Sequence, residues 1–400
     1  MRAAAVCLDC GRRRRVREIS RPVRRMRSWA AAWALLAGVS VLGAGPVVDQ
    51  SPTPTPAPAT SATTAAPAST PTPLLTRSVT TYAGTGVESQ KDGPLLSATF
   101  ADITYIAADP DRNSLFVSDK NEIRELTKDG SVVTVAGSSA AGSADGTGSG
   151  ARFNVAAGIA YDPSDKSFYI CDQKNFEIRR MTADGIVTTV AGSTQEGRND
   201  GAGADARFSH PEGIAFDSRD GALYVTDSAN NEIRRVTTAG IVTTVAGGRA
   251  GFADGTGGAA RFDNPSGITF DAADGALYVS DSGNERIRRV TPDGIATTFA
   301  GGSNASFVGP KAMTRWGVPA GIAWNPVDGS LYVVDYFFNA VRRISPQGDV
   351  SGIAGNGSLG SYDGVFEGAE FGRPLGIAVE PSTGHLYIAD FGNNLIRLIQ

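Results

Sequence analysis

A phrase of six residues, Val-Thr-Thr-Val-Ala-Gly or a close variant, recurs six times along this chain of 400 residues. Its copies are spaced 53 to 55 residues apart and end at Gly84, Gly137, Gly192, Gly247, Gly301 and Gly355. A fixed period of this length means that one supersecondary unit is repeated. The repeat constrains the fold more than any single motif in the chain does.

The third unit shows what each repeat contains. It includes the runs A-R-F (206–208), P-E-G-I-A (211–215), L-Y-V-T-D (223–227), N-E-I-R-R-V (231–236) and I-V-T-T-V-A-G (241–247). The last four runs are short, rich in Val, Ile, Tyr and Thr, and bounded by Gly, Asp, Asn or Pro, which is typical of strands and turns. We therefore predict four strands per unit.

The aspartate that closes the second predicted strand gives an independent count of the units. It recurs at Asp119, Asp172, Asp227, Asp281, Asp335 and Asp390. Six copies predict an all-β fold, a six-bladed β-propeller of four-stranded blades. The first copy of the repeated phrase, 79–84, precedes any complete unit, and the last unit stops after its third strand. We expect the N-terminal strand to complete the sixth blade and close the ring.

Residues 1–50 differ in character from the repeats. Residues 2–27 contain ten Arg and two acids, and residues 29–48 are almost entirely apolar. A basic segment followed by an apolar one is typical of an export signal. The basic flank predicts a cytoplasmic N-terminus with the propeller outside.

The fate of this segment stays open between a cleaved signal peptide and a retained membrane anchor. About 20 apolar residues are enough to span a bilayer, and Pro46 follows the small-residue site 43–45, which disfavours cleavage. Met26 is an alternative start, because Arg27 would still supply a basic residue.

Residues 51–76 are rich in Pro, Thr, Ala and Ser. Such a sequence cannot bury a core and prefers an extended polyproline II conformation. We predict a disordered linker that acts as a stalk between residues 1–50 and the propeller, residues 77–400.

Charge limits the partners of the ring. The whole chain has a net charge of −4, but the first 50 residues hold ten of the basic residues, so the ring has 27 basic and 38 acidic residues. Nucleic-acid binding needs a clustered positive field, so nucleic acid is excluded as the expected partner. The preference for Arg over Lys, with abundant Ala, Gly and Pro, is typical of a GC-rich bacterium.

The three cysteines give little indication of function. Cys7 and Cys10 lie in the N-terminal segment, where a metal site would need a second pair, and Cys171 stands alone inside a predicted strand. No disulfide can form within the propeller. We expect Cys171 to be a buried apolar residue.

The repeated phrases P-x-G-I-A-F-D, L-Y-V-T-D-S-A-N-N-E-I-R-R-V and I-V-T-T-V-A-G resemble NHL repeats, the units of six-bladed propellers, over residues 77–400. The resemblance implies a ring that presents one face to protein, sugar or RNA ligands. With RNA disfavoured by charge, we expect a protein or glycan ligand outside the cytoplasm and a monomeric ring. A structural spacer without a dedicated ligand is a further alternative.

Enzymes on similar rings provide the main alternative, a metal-dependent lyase or lactone hydrolase that uses the central channel. Propeller lyases hold a metal with several histidines, whereas this chain has only His210 and His385, which we do not expect to converge. Gluconolactonase-like propellers use an acidic and amide set that has no counterpart here. We predict no cofactor, with a channel metal ion such as calcium as the open alternative.

We interpret the repeated polar residues as structural rather than functional. An Asp-Gly pair lies eight residues before the Phe of each A-x-F run, with its aspartate at Asp145, Asp200, Asp254 and Asp363. We expect these aspartates to cap a turn, since one carboxylate per loop is too few for calcium. We expect the arginine pairs, such as Arg234 and Arg235, to bind acids between blades.

Departures from the repeat are better indications of function, because the fold does not explain them. The fifth unit has Phe307-Val308 in place of Asp-Gly, and an aromatic run in its second turn. We hypothesise an apolar patch that stacks a sugar ring or anchors a peptide. Its residues are Trp316, Tyr336, Phe337, Phe338 and Phe391. The alternative is that these side chains fill a gap between two blades.

Overall fold

The computed structural model describes residues 77–302 and 307–400. The export signal or anchor predicted for residues 1–50, the pair Cys7 and Cys10, and the linker predicted for residues 51–76 lie outside these residues.

The described residues form six sheets, which we number as blades one to six in chain order. Blade one contains β2 (Gly93–Pro94), β3 (Ile103–Asp109), β4 (Ser114–Asp119), β5 (Glu122–Leu126) and β6 (Ser131–Gly137). Blade two contains β7 (Gly146–Thr147), β8 (Ala156–Asp162), β9 (Ser167–Asp172), β10 (Glu177–Thr182) and β11 (Ile186–Gly192). Blade three contains β12 (Gly201–Ala202), β13 (Pro211–Asp217), β14 (Ala222–Asp227), β15 (Glu232–Thr237) and β16 (Ile241–Gly247).

The second half of the ring repeats the same plan. Blade four contains β17 (Gly255–Thr256), β18 (Pro265–Asp271), β19 (Ala276–Asp281), β20 (Arg286–Val290) and β21 (Ile295–Gly301). Blade five contains β22 (Gly309–Pro310), β23 (Pro319–Asn325), β24 (Ser330–Asp335), β25 (Ala340–Ile344) and β26 (Asp349–Ala354). Blade six contains β1 (Ser78–Ala83), β27 (Gly364–Val365), β28 (Ile377–Val379), β29 (Leu386–Asp390) and β30 (Leu395–Ile399).

Short 3-10 turns join some of these strands. They span Gly148–Gly150, Gly203–Asp205, Ser228–Asn230, Gly257–Ala259, Ser282–Asn284, Lys311–Met313, Phe366–Gly368 and Phe391–Asn393. Across residues 77–302 and 307–400, no helix is both long and apolar enough to cross a membrane.

Each blade has five strands rather than the four predicted. In blade three the order is β12-β16-β15-β14-β13, so that the two-residue strand β12 is added outside the long outer strand. Gly201 pairs there with Val242. Two residues of a Gly-rich loop carry no strand signal of their own, which is why the sequence pattern indicated only a turn.

The ring is closed as the sequence predicted. The N-terminal strand β1 pairs antiparallel with β30, the last strand of the chain, with Val79 opposite Ile399. On its other side β1 pairs with β27, with Ser78 opposite Val365. Both ends of the described chain therefore lie in blade six.

The cores lie between neighbouring blades. One cluster joins Tyr169 and Cys171 of blade two to Ile214 and Leu223 of blade three. Cys171 is fully buried in this cluster, as predicted for an apolar residue, and burial raises the pKa of its thiol well above the ordinary value.

Glycines in the inner strands let neighbouring blades approach closely around the central channel. A Cβ on Gly213 would lie 2.2 Å from the carbonyl oxygen of Ser266 in blade four. Equivalent glycines in blades two, four, five and six face the next blade's backbone in the same way, at Gly158, Gly267, Gly321 and Gly376. A larger residue at these positions would have to push two inner strands apart.

We predict that Gly213→Ala destabilises the ring by about 1–3 kcal/mol, the usual cost of overpacking. Gly150→Ala is the matched control, because a Cβ at Gly150 would have no neighbour within 4 Å. Denaturant unfolding of both variants measures the difference. Equal stability of the two variants would contradict the close approach of the inner strands.

Candidate functional site

A fully buried arginine holds each blade together. In blade three, the Nη1 atom of Arg234 lies 2.7 Å from Asp227 Oδ2 and its Nη2 atom lies 2.8 Å from Asp200 Oδ1. The guanidinium also donates to the carbonyl oxygens of Arg207 and Asn199, each at 3.0 Å. Its carbon Cζ is 5.1 Å from the centre of the Phe208 ring. The cation is thus surrounded by acceptors and one aromatic face.

The same arrangement recurs in four other blades. The arginine and its two aspartates are Arg124 with Asp119 and Asp92, Arg179 with Asp172 and Asp145, Arg288 with Asp281 and Asp254, and Arg397 with Asp390 and Asp363. Asp92 was not among the predicted copies of the Asp-Gly pair. All these pairs lie within one sheet, so the prediction that the arginines bind acids between blades was wrong.

The aspartate of the Asp-Gly loop does not cap a turn, as the sequence had led us to expect. Asp200 accepts hydrogen bonds from the backbone N–H and the hydroxyl of Thr244, at 3.1 and 2.9 Å, besides the bond from Arg234. Partial burial tends to raise the pKa of Asp200, but the bonds from Thr244 and Arg234 lower it overall. Asp200 therefore attaches the loop to the outer strand and to the buried arginine.

We predict that Asp227→Asn destabilises the protein by about 3–5 kcal/mol, because it leaves a buried guanidinium without its buried carboxylate. Asp200→Asn should cost less, about 1 kcal/mol, because half of the Asp200 side chain is exposed to solvent. Denaturant unfolding measures both values. A larger loss for Asp200→Asn would refute this ranking of the two carboxylates.

Blade five breaks the pattern at its arginine. Arg342 keeps the buried carboxylate, with Nη1 3.3 Å from Asp335 Oδ2, but Val308 stands where the other blades have the second aspartate, eight residues before Trp316. The counterpart of the Asp-Gly pair is thus Val308-Gly309, one residue later than the sequence comparison placed it. The Nη2 atom of Arg342 donates to the carbonyl oxygen of Phe307, as that of Arg234 does to Asn199. The guanidinium carbon lies 4.1 Å from the Phe307 ring centre and 4.0 Å from the Trp316 ring. Blade five thus lacks one carboxylate and places the Phe307 ring beside the guanidinium.

The loss of a carboxylate changes the electrostatics of this arginine. Burial lowers the pKa of Arg342 to about 10, and only Asp335 opposes this shift. The guanidinium remains charged at neutral pH. Blade five therefore carries one negative charge fewer around its arginine than each of the other blades.

The predicted aromatic residues divide into buried and exposed groups. Trp316 is 1% exposed and Tyr336 is 7% exposed, and Trp316 packs in the core shared by blades four and five. Phe337 is 60% exposed and Phe338 is half-buried. Phe391 is half-buried in the corresponding turn of blade six. Trp316 and Tyr336 thus fill space inside the ring, and only the others present surface to a ligand.

Three phenylalanines form a cluster at the surface, which we call the aromatic triad: Phe307, Phe337 and Phe338. The ring centres of Phe337 and Phe338 are 5.6 Å apart, and those of Phe307 and Phe338 are 5.4 Å apart. The rings meet edge to face, at 74° and 85°. Phe307 was recognised in the sequence as a departure from the repeat but was not included in the predicted patch.

A cleft of about 380 Å³ adjoins the triad at the junction of blades five and six. Its walls, which define the blade-five cleft, are Phe307, Phe338, Gly355, Asn356, Gly357 and Glu367. Clefts of this size, with apolar walls and a few polar groups, commonly bind small molecules or single side chains.

Arg315 adds an exposed cation beside the triad. Its guanidinium carbon lies 5.7 Å from the centre of the Phe338 ring. In blade three the corresponding Arg207 donates to the carbonyl oxygen of Ala206 at 2.7 Å. Arg315 is exposed, and no hydrogen bond or ion pair joins its guanidinium to another residue that the structure describes.

A second departure from the repeat lies in the central channel. Tyr105 of blade one stands where the other blades have the inner-strand glycine, and its hydroxyl lies 3.5 Å from Glu212 Oε1 of blade three. Ser228 donates to the other oxygen of Glu212 at 3.3 Å. The sequence carried a signal for this pair, since one tyrosine replaces a repeated glycine, but it was not predicted.

Burial raises the pKa of Glu212 to about 7, although the hydrogen bonds from Ser228 and Tyr105 oppose this shift. The folded protein therefore holds a proton on Glu212 between about pH 4.5 and 7, where the unfolded chain has lost it. The stabilisation that this proton gives is complete below the pKa that Glu212 has in the unfolded chain. It is lost as the pH rises through about 7.

We predict that the wild-type protein loses stability relative to Glu212→Gln as the pH rises from 5 to 8, by at most about 1.4 kcal/mol per pH unit. Denaturant unfolding of both proteins at pH 5, 6, 7 and 8 measures this difference. Parallel pH profiles would show that Glu212 titrates near its ordinary pKa.

Histidine and acid clusters are sparse in the part of the chain that the structure describes. Within it, no group of three or more His, Cys, Asp and Glu residues lies close enough to hold a metal ion. His210 packs against the Phe176 ring, 5.5 Å between centres, and burial lowers its pKa. His385 faces Glu380 in blade six. The two histidines thus have separate surroundings, as expected.

Comparison with known proteins agrees with this architecture. The family described as NHL repeat matches residues 208–235, 262–289 and 371–397, which lie in blades three, four and six. The resemblance predicted from the repeated phrases is confirmed. The chain contains NHL repeats arranged as a six-bladed β-propeller.

The relatives are distant and longer than this chain. It is 26% identical to Protein SUPPRESSOR OF QUENCHING 1, chloroplastic, of Arabidopsis thaliana, over 79% of this chain and 32% of that protein. It is 25% identical to NHL repeat-containing protein 2 of Gallus gallus, over 60% of this chain and 38% of that protein. The chain thus spans about a third of these relatives' lengths.

A solved structure of similar fold is that of an auxiliary nutrient binding protein from Bacteroides thetaiotaomicron VPI-5482. Its TM-score to this chain is 0.63 at 20% identity, and the match covers 81% of this chain and 76% of that one. A likeness at this level of identity shows the fold alone.

Proposed function

We propose that this propeller is a binding module for a protein or glycan outside the cytoplasm, and that the ligand enters the blade-five cleft. The observation that carries this proposal is the aromatic triad. In the other five blades an aspartate of the outer loop serves the fold, whereas blade five has Val308 at that position, with Phe307 before it and the exposed Phe337 nearby.

The exposure of these rings supports binding over gap filling. Trp316 and Tyr336 already fill the interior of blade five, whereas the fold does not require a ring as exposed as Phe337. Apolar side chains grouped around a cleft are typical of ligand sites. The triad therefore supplies the contact surface, and Phe391, in the corresponding turn of blade six, is a further candidate.

Two further observations support the proposal, the first on location and the second on a binding role. The basic and apolar segments of residues 1–50 have the pattern of an export signal. A protein of similar fold is described as an auxiliary nutrient binding protein. A propeller exported in this way would meet its ligand at or beyond the cell surface.

We predict that Phe337→Ala/Phe338→Ala weakens ligand binding about tenfold or more, because each aromatic contact contributes about 0.5–1.5 kcal/mol beyond the buried area. The full chain would be screened on a glycan array and against a phage-displayed peptide library, and each binder retested with the double variant. Val327→Ala is the matched control, since Val327 is an exposed apolar residue of the same blade, in the turn between β23 and β24.

The melting temperature separates the two interpretations of the triad. Lost binding with little change in melting temperature supports the ligand site. If the double variant melts many degrees lower and every binder is retained, the phenylalanines serve packing and the proposal fails.

A further inference from the structure

The charge around Arg342 indicates what kind of ligand the blade-five cleft accepts. In five blades a half-exposed aspartate at the surface completes the shell of a buried arginine. In blade five that aspartate is replaced by Val308, an exposed apolar residue, and the preceding residue, Phe307, is a wall of the cleft. The surface that is negative in the other blades is therefore apolar here and lies above an arginine with a single carboxylate.

A second cation lies beside the triad. Arg315 is exposed and its guanidinium stands 5.7 Å from the Phe338 ring. Arg342 is buried and contributes only its field, whereas Arg315 can contact a ligand directly. The aromatic wall of the cleft is thus flanked by two guanidinium groups.

We propose that the blade-five cleft recognises a peptide segment in which an acidic residue lies next to an apolar one. The apolar side chain packs against Phe307 and Phe338, and the carboxylate binds the guanidinium of Arg315. This inference rests on the proposed function and specifies its ligand.

The geometry of the rings favours a peptide over a sugar. The rings of the triad meet at 74° and 85°, so they do not form the flat platform on which a pyranose ring stacks. They form an angular apolar wall instead, which suits a branched or aromatic side chain.

Glu367 also limits which ligands the cleft accepts. It is exposed and lines the cleft, and its carboxylate repels a uniformly anionic polymer while it accepts backbone N–H donors. A peptide offers both N–H donors and an isolated carboxylate. The ring as a whole has an excess of acids, so recognition of an acidic residue depends on this local departure.

The test uses peptides enriched on the full chain from a random heptapeptide phage library. Each enriched peptide is synthesised with its Asp or Glu and with Asn or Gln in its place, and both are titrated by fluorescence anisotropy. We expect the acidic form to bind about tenfold or more tightly, as hydrogen bonds to charged groups are among the stronger ones. In Arg315→Gln this preference should disappear.

Arg261→Gln is the matched control, because Arg261 is exposed and occupies the position of Arg315 in the blade-four repeat. It should leave both affinities unchanged. Equal binding of the acidic and amide peptides to the wild-type protein overturns the inference, and so does an equal loss in the two arginine variants.

Two outcomes separate this inference from the proposed function. If only glycans bind and their binding is lost in Phe337→Ala/Phe338→Ala, or if neutral peptides bind through the triad, the cleft is a ligand site and the acidic-peptide inference is wrong. If no binder of either kind depends on the triad, both proposals fail.

Discussion

The buried arginine of each blade connects parts of the repeat that are far apart in sequence. In blade three Arg234 lies on the third long strand, Asp227 ends the second, and Asp200 lies in the loop that adds the outermost strand. Taking a guanidinium out of water is costly unless its donors are satisfied. Because carboxylates and carbonyls surround it, the cation fixes the loop to the sheet. The buried core therefore sets the position of the surface that this loop forms.

Blade five shows what happens when one member of this arrangement changes. Val308 stands in place of the loop aspartate, and the guanidinium of Arg342 contacts the rings of Phe307 and Trp316. Cation–π contacts at such distances partly offset the missing carboxylate. The adjacent residue Phe307 also brings an apolar ring to the surface beside Phe338. Two neighbouring departures from the repeat therefore keep the pair of Arg342 and Asp335 and alter the chemistry of the outer loop.

The sequence predicted the fold well because its strongest signal, a period of about 54 residues, was repeated six times. The closure by β1 followed from the incomplete last unit. The partners of Arg234 could not be predicted, since Asp200 comes next to it only through sheet register. The inner-strand pair Tyr105 and Glu212 was missed for a similar reason, as blade two separates them in sequence. The sequence showed which aromatic residues depart from the repeat. It did not show that Trp316 and Tyr336 are buried, because their burial depends on packing that composition does not reveal.

Closure of the ring by β1 has a mechanical consequence. The strand that follows residue 76 is held by β30 and β27, and Arg77, just before it, donates to the hydroxyl of Tyr332 in blade five at 2.9 Å. Any tension transmitted through the preceding chain would act first on the hydrogen bonds of β1, at the seam where the ring is joined. Blade six then bears the load directly, and the bond from Arg77 to Tyr332 passes part of it to blade five, which carries the cleft.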